Sequence, residues 1–343
     1  MDMEKKFAPV AVADCADYEE ARVREALRRV IALAGGLSWV REGMRIAVKA
    51  NMVAGGKPES AVTTHPRVLT ELCRILSDMD AVPVVGDSPG GLFNAAFVGG
   101  VYKASGMRMV EEAGGVLNED FSEERRANPD GKIAKSLECT AWLFSCDAII
   151  NVCKLKTHGM MSMSAAVKNM FGSVPGTIKP EYHFRFPNEN DFADMLIDID
   201  EFYRPRLHIV DAVTGMEGNG PTAGTPRHVG ALLASVSPYP LDAVCGKLIG
   251  LSVGDVPTLA AAARRGLGPE SADSVELLRV VVGKLREAGY RVGNVDCTVI
   301  AQRPKLAPYI LQMRRNIADD LDLPLGAVSV KATTEEGMGF SGR

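Results

Sequence analysis

The chain has 343 residues, of which 46% are hydrophobic and 24% are charged, with a formal net charge of −4. This composition is that of an ordinary globular protein with a large core. The acidic balance argues against general nucleic-acid binding, and no apolar run reaches the length of a membrane span. The first residues lack the apolar stretch of a signal peptide, and seven scattered cysteines without a CxxC pair are typical of reduced thiols. We therefore expect a cytoplasmic protein with no membrane or nucleic-acid partner.

Strand and helix patterns alternate along the first part of the chain. A helix is predicted over residues 17–34, capped by Asp17, and a strand over residues 45–50. A second helix starts around Thr64 to Pro66, and a second strand covers residues 81–85. This β-α-β arrangement implies an α/β protein with a mainly parallel, doubly wound sheet and helices on both faces.

The rest of the chain continues the alternation and then changes character near residue 273. We therefore predict two domains, residues 1–272 and 273–343, the second an α-β-α-β appendage. Before the boundary we predict strands over 148–153, 207–213 and 229–236, and helices over 101–112, 191–203, 241–251 and 256–266. After it we predict helices over 275–288 and 306–321 and strands over 294–302 and 327–333.

A cluster of basic residues follows the buried strand predicted at residues 148–153. Lys154, Lys156 and His158 come directly after it, and Lys168 and Asn169 lie on a helical segment beyond a glycine turn. Because the chain as a whole is acidic, a local concentration of cations predicts an anion site. The alternative interpretation is a solvated basic turn with no ligand.

Four polar groups each follow a predicted strand. In an open parallel sheet the carboxyl ends of the strands share one edge, where ligands bind at the switch point of the strand order. We therefore expect the four groups to meet in one crevice. The groups are Lys49 with Asn51; Asp87 with Ser88; Lys154, Lys156 and His158; and Asp211, Glu217 and Asn219.

These side chains suggest three chemical roles. Lysines and amides would bind a carboxylate or phosphate, and His158 with Lys156 would transfer protons because an imidazole titrates near neutral pH. Acidic side chains would hold a hard divalent cation such as Mg²⁺. The alternatives are a structural histidine, a turn-forming Asp87 and a surface Glu217. The expected substrate ligands are Lys49, Asn51, Lys154, Lys168, Asn169 and Asn219, and the expected metal ligands are Asp87, Asp211 and Glu217.

Six sequence motifs follow one another along the first part of the chain: KAN from Lys49, AVTTHP from Ala61, GDSPGG from Gly86, KLKTH from Lys154, AVKNMFG from Ala166 and MEGNGP from Met216. Together, and in this order, they resemble the domain of unknown function 362 family over about residues 7–270. The resemblance implies no settled reaction. Many members of that family carry CxxCxxC runs for [4Fe–4S] clusters, and this chain has no such motif.

Three further segments stand out after residue 273: GYRVGNVD from Gly289, IAQRPK from Ile300 and the residues from Val330 to Arg343. With them, about residues 273–343 resemble the C-terminal half of methylerythritol cyclodiphosphate synthase, an enzyme with a ferredoxin-like fold. The resemblance implies a cytidine pocket at Ala301 to Lys305, diphosphate contacts from Thr333 and Thr334, and a divalent metal at Glu336. It also implies that Thr334 supports the transition state and that Phe340 and Arg343 close the nucleotide site.

The second segment departs from that synthase family in ways that matter for activity. The early Asp-x-His metal motif and the zinc histidine of the family have no counterpart here, so a Zn²⁺ or Mg²⁺ site would be incomplete. Glu335 and Gly337 replace the threonine and lysine that usually flank the metal glutamate. The segment would serve as an appendage, bind a cytidine nucleotide, or complete an oligomer, and a gene fusion would produce the arrangement.

Three functional hypotheses follow, in order of preference. The first is an enzyme of unassigned reaction that handles a small anionic metabolite in a Lys/His-lined crevice. The second is cyclodiphosphate synthase activity, with CMP release, or its inactive remnant in the C-terminal segment. The third is an accessory binding protein for an iron–sulfur redox partner.

Overall fold

A computed structural model describes residues 7–270, 289–300 and 306–333 of the chain. It divides into two compact units, Met1–Glu270 and Ser271–Arg343.

The first unit is built on one eight-stranded sheet. Its strand order is β1-β10-β9-β7-β2-β3-β4, with β8 paired to β7, and a separate hairpin joins β5 and β6. The pairs β2–β3, β2–β7, β3–β4 and β7–β9 are parallel, while β10 is antiparallel to both of its neighbours. The strands are β1 (Ala11–Asp14), β2 (Arg45–Lys49), β3 (Val82–Gly86), β4 (Val116–Leu117), β5 (Glu123–Ala127), β6 (Ser136–Thr140), β7 (Ala148–His158), β8 (Ser162–Ser164), β9 (Leu207–Glu217) and β10 (Thr225–Ser235).

Eight α-helices accompany these strands in the described part of the first unit. Two of them, α1 and α2, pack on the sheet in one apolar cluster, in which Leu27, Leu69 and Leu72 are buried together with strand residues such as Ile46. A second cluster gathers α6 and α8 around Phe171. The helices are α1 (Glu20–Leu33), α2 (Pro66–Ser77), α3 (Ala95–Ala104), α4 (Ala166–Asn169), α5 (Lys179–Arg185), α6 (Glu189–Tyr203), α7 (Pro238–Leu248) and α8 (Pro257–Arg264).

The predicted fold class, an α/β protein with a mainly parallel doubly wound sheet, is confirmed. The strand order also identifies the switch point, because the chain leaves β2 toward β3 on one side and leaves β7 toward β9 on the other. The carboxyl ends of β2 and β7 therefore frame the position at which open α/β sheets bind ligands.

Several local predictions were wrong, including the following three. The first helix is capped by Glu19, whose carboxylate accepts hydrogen bonds from the backbone of Ala21 and Arg22, and not by Asp17. The helix predicted over 101–112 is instead α3 followed by a 3-10 segment, Met107–Ala113, because Gly106 adopts a positive φ of 69° between them. The strand predicted over 148–153 extends to His158, since its second half pairs with β8.

The described part of the second unit contains a parallel pair of strands and one α-helix. Strand β11 (Val295–Ile300) pairs with β12 (Val328–Thr333), and α9 (Ile310–Leu321) connects them after a 3-10 turn, Ala307–Tyr309. Ala318, Val328 and Val330 form its small apolar cluster. The predicted strand, helix and strand are confirmed, whereas the helix predicted over 275–288 lies outside the described residues.

Candidate functional site

The basic cluster lies within a strand and not in a loop after it. Strand β7 carries Lys154, Lys156 and His158, and its last residues form a hairpin in which Lys156 pairs with Ser164. Both lysines are buried, with about 1% of their surface exposed. An unpaired buried ammonium is costly, so each lysine depends on the partners that the fold supplies.

Lys154 is fully enclosed by its partners. Its Nζ lies 2.6 Å from Asp211 Oδ2, 2.9 Å from the Tyr18 hydroxyl and 3.1 Å from the Thr214 carbonyl oxygen. The parallel register of β7 and β9 places Lys154 directly opposite Asp211. This buried ion pair uses every ammonium donor, so in this structure Lys154 has no donor left for the substrate that the sequence predicts it to bind.

Lys49 and Asp87 form a second buried ion pair, at the ends of β2 and β3. Lys49 Nζ lies 2.8 Å from Asp87 Oδ1 and also donates to the Ala50 carbonyl oxygen at 2.8 Å. Asp87 Oδ2 accepts from the Met52 amide at 2.6 Å, and Oδ1 accepts from the Ser88 amide at 2.9 Å. Asp87 lines the neighbouring cavity, but its charge is balanced by Lys49.

A cavity with a volume of about 270 Å³ opens at the switch point. Three lysines line it without a carboxylate partner in the part of the chain that the structure describes: Lys156, Lys168 and Lys179. Its wall combines backbone glycines with polar and aromatic side chains. Beyond the lysines, the lining side chains include Asn51, Asp87, Ser88, His158, Ser164, Asn169, Phe171 and His183.

Lys156 is held by three neutral oxygen atoms. Its Nζ donates to Asn51 Oδ1 at 2.7 Å, to the Val62 carbonyl at 2.8 Å and to the Pro221 carbonyl at 3.3 Å. Burial, with the charges of neighbouring lysines, lowers its pKa to about 7. Neutral carbonyls orient the ammonium group but do not cancel its charge, which therefore acts on the cavity.

Lys168 and Lys179 complete the group of cations. Burial and the charges of Lys179 and Lys49 lower the pKa of Lys168 to about 7, and burial lowers the pKa of Lys179 to about 8. Lys179 donates to the carbonyls of Ser88 and Pro89. It was not predicted from the sequence, because it follows no strand.

Two histidines face the same cavity. His158 Nδ1 accepts from the amides of Met160 and Met161 at 3.2 and 3.1 Å, so the neutral ring carries its proton on Nε2. Burial, reinforced by the charge of Lys168, lowers the pKa of His158 to about 3. His183, which was also not predicted, stacks on Phe192 at 4.4 Å. At neutral pH His158 is thus a hydrogen-bond donor toward the cavity.

A chain of asparagine amides supports Lys156 from behind. Asn51, which accepts from Lys156, donates to Asn169 Oδ1 at 3.0 Å, and Asn169 donates to Asn151 Oδ1 at 2.7 Å. Asn151 Nδ2 lies 3.0 Å from Nδ1 of the buried His208. These hydrogen bonds fix the orientation of each amide in the series, so that Asn51 presents its Oδ1 oxygen to Lys156.

The remaining predicted residues lie elsewhere. Glu217 and Asn219, at the end of β9 and just beyond it, do not line the cavity. Asp87, Asp211 and Glu217 do not form the expected shared cation site, because no three His, Cys, Asp or Glu side chains of the described residues could hold a metal ion together. Thr333 ends β12, and its side chain falls outside the description. Ala301, Lys305, Thr334, Glu336, Phe340 and Arg343 lie outside the described residues.

Most of the first unit matches a known protein family. Residues 46–247 match the family described as domain of unknown function DUF362. A thylakoid-associated protein from Synechocystis, sll1697, is 33% identical over 258 residues, which cover 75% of this chain and 79% of that protein. The chain belongs to the DUF362 family, as the sequence motifs predicted.

A second match covers the C-terminal segment. Residues 241–343 match the YgbB family. The 2-C-methyl-D-erythritol 2,4-cyclodiphosphate synthase of Thioalkalivibrio sulfidiphilus is 62% identical over 74 residues, which are 22% of this chain and 46% of the synthase. A solved CDP complex of IspF from Plasmodium falciparum is 34% identical, covers 20% of this chain and 45% of that chain, and has a TM-score of 0.19. The matched segment therefore spans about half of the length of these two synthases.

No helix within the described residues is both long and apolar enough to cross a bilayer.

Proposed function

We propose that the first unit is an enzyme that binds and acts on a small carboxylate or phosphate in the cavity at the switch point. The observation that carries the proposal is the group of three lysines, Lys156, Lys168 and Lys179, which share the cavity without a carboxylate partner in the described chain. Burial disfavours the charged form of each lysine and neighbouring positive charges add to this effect, so their pKa values fall. An anion would offset this cost, and perturbed titratable groups in a cleft are typical of functional sites.

The contacts assign different roles to the cavity groups. Lys156 has used its three donors and contributes charge, whereas Lys179 keeps one N–H and Lys168 keeps all of its donors for a ligand. His158 would donate from Nε2 to an oxygen atom of the substrate. With its pKa near 3, His158 does not serve as the base, so a lysine with a pKa near 7 is the better proton acceptor. We therefore assign proton transfer to the lysines.

The proposal is tested by titrating the protein with inorganic phosphate, acetate and pyruvate in a calorimeter. We expect saturable binding of at least one anion in the wild type. Lys156→Met and Lys168→Met should each weaken anion binding about tenfold or more. The first variant loses a positive charge beside the anion, and the second loses a charged hydrogen-bond donor. Lys103→Met is the matched control, since Lys103 is exposed and does not line the cavity. Equal affinity in all four proteins would contradict the proposal.

A second candidate function belongs to the C-terminal segment, where 62% identity over 74 residues favours the chemistry of the synthase. There the segment would bind a cytidine nucleotide with Ala301, Lys305, Thr333, Thr334, Phe340 and Arg343, with Glu336 at a divalent metal and a homo-oligomer completing the site. The described residues contain no metal-binding group, so we derive no step through a metal.

Native mass spectrometry with and without CDP tests this candidate. An oligomer that gains CDP would support it, and a subsequent assay would ask whether the protein releases CMP from the synthase substrate. A chain that gains no CDP and releases no CMP with added Zn²⁺ and Mg²⁺ would remove it.

A further inference from the structure

The three cavity lysines differ in how many hydrogen-bond acceptors they meet. Lys156 donates to three oxygen atoms and Lys179 to two. Lys168 donates to no acceptor in the described part of the chain, and no carboxylate there pairs with it. An ammonium group has three donors, so the three acceptors around Lys156 occupy every donor of its protonated form, although burial lowers its pKa to about 7 as well. Within the described residues, no acceptor occupies the donors of Lys168.

Aromatic rings take the place of acceptors around Lys168. Its Nζ lies 4.7 Å from the centroid of Phe171 and 5.7 Å from the centroid of Phe192. Ring faces attract an ammonium, but burial and the charges of Lys179 and Lys49 oppose it and lower the pKa of Lys168 to about 7. A lysine with that pKa has a larger share of neutral amine at pH 7 than an ordinary lysine. An amine beside apolar groups and another cation is the kind of lysine that attacks carbonyl carbon.

We propose that Lys168 is a nucleophile that forms an imine with an aldehyde or ketone on the bound anion, while Lys179 donates to its carboxylate or phosphate and Lys156 attracts that group through its charge. This inference rests on the proposed function, because the anionic group brings the carbonyl to the amine. It narrows the substrate class to small oxo-acids or phosphorylated carbonyl compounds.

The covalent step balances as follows. The lone pair of Lys168 Nζ forms a bond to the carbonyl carbon while the carbonyl π electrons move to oxygen. One nitrogen proton transfers to that oxygen to give a carbinolamine. A second proton from solvent then converts the hydroxyl into a leaving water molecule, and the product is a protonated imine. No oxidant or reductant takes part.

The test uses the full chain with pyruvate or glycolaldehyde phosphate as the probe and sodium cyanoborohydride to reduce any imine. Intact mass and peptide mapping then show which lysine carries the adduct. We expect one adduct per chain, on Lys168, with a rate that rises around pH 7. The exposed Lys57 and Lys103 are internal controls, and each should be modified at least about tenfold more slowly at pH 7, because ordinary lysines remain protonated there. Lys168→Arg should lose the adduct.

The outcomes separate this inference from the proposed function. Modification spread over exposed lysines, an adduct on Lys156, or no adduct with either probe would overturn the imine. Phosphate binding measured on the same preparation would then show whether the anion site survives without it. Should Lys168→Arg fail to fold, the peptide map and pH dependence of the wild type still decide the matter.

Discussion

At the scale of single residues, the partners of a buried lysine decide what it does. Lys49 and Lys154 each meet an aspartate, and both are part of the framework. Lys156 meets only neutral oxygen atoms, and Lys168 meets aromatic rings. Lys156 is buried and Lys168 is half-buried, and a cation withdrawn from water without a counter-charge lowers stability. Such groups persist at sites that need them.

We expect Lys168→Met to stabilise the protein in the absence of an anion. In the folded wild type the pKa of Lys168 is about 7, compared with an ordinary value of 10.5, so the unfolded chain binds more protons between these pH values. The stability of the wild type therefore rises with pH across this interval. We predict that the variant gains about 1 kcal/mol or more at pH 7 and that its gain is smaller at pH 9.

Urea denaturation in a zwitterionic buffer, at pH 7 and pH 9, measures the free energies of unfolding that test this prediction. Lys103→Met should leave the free energy of unfolding within about 0.5 kcal/mol of the wild type at both pH values. The prediction fails if Lys168→Met is less stable than the wild type, or if its gain in the free energy of unfolding is the same at pH 7 and pH 9. Either result would mean that the charge of Lys168 is compensated in the folded wild type.

At the scale of elements, a tight turn after α4 holds the framework of the cavity together. The 3-10 segment Met170–Ser173 brings the backbone of Gly172 against the Lys49–Asp87 pair, and the Gly172 carbonyl accepts from the Ser88 amide at 3.2 Å. A methyl group on Gly172 would overlap both Asp87 Oδ1 and Lys49 Nζ. Only glycine therefore fits there without displacing the ion pair.

We predict that Gly172→Ala destabilises the protein by about 2 kcal/mol or more, because a well-packed site cannot accept the added volume. Gly159→Ala is the matched control, since nothing lies within 4 Å of the added methyl group at that turn. Thermal unfolding of both variants tests the prediction. Similar unfolding temperatures for the two variants would mean that the turn can shift at little cost.

The sequence predicted the parallel sheet and the edge at which its polar groups meet, but the lengths of several strands and the contents of the cavity only in part. Lys49, Asn51, Asp87 and Lys156 converge because consecutive parallel strands end at one edge. The register between neighbouring strands decides which lysine is buried in an ion pair. The pairing of Lys154 with Asp211 across β7 and β9 is therefore not visible in local sequence patterns. Lys179 and His183 belong to a short helix that follows no strand, so only a signal such as a cation and a histidine on one helical turn could have indicated them.

At the scale of the whole molecule, two family matches share one chain. The residues that line the cavity fall between Asn51 and Pro221, within the first unit. We propose that this unit is a self-sufficient domain. A chain that ends at residue 270 should therefore bind anions with an affinity within about twofold of the full chain, as calorimetry would measure. A shortened chain that folds but no longer binds anions would assign part of the site to the C-terminal segment.

The central claim is that uncompensated lysines form an anion site, and proton uptake on binding tests it most directly. Calorimetric titration of the wild type with the tightest-binding anion, at pH 7.5 in two buffers of different ionisation enthalpy, counts the protons taken up. An anion raises the lowered pKa values of Lys156, Lys168 and Lys179, so we predict a net uptake of about one proton per anion bound. Saturable binding with the same heat in both buffers, or no saturable binding at all, would contradict the account.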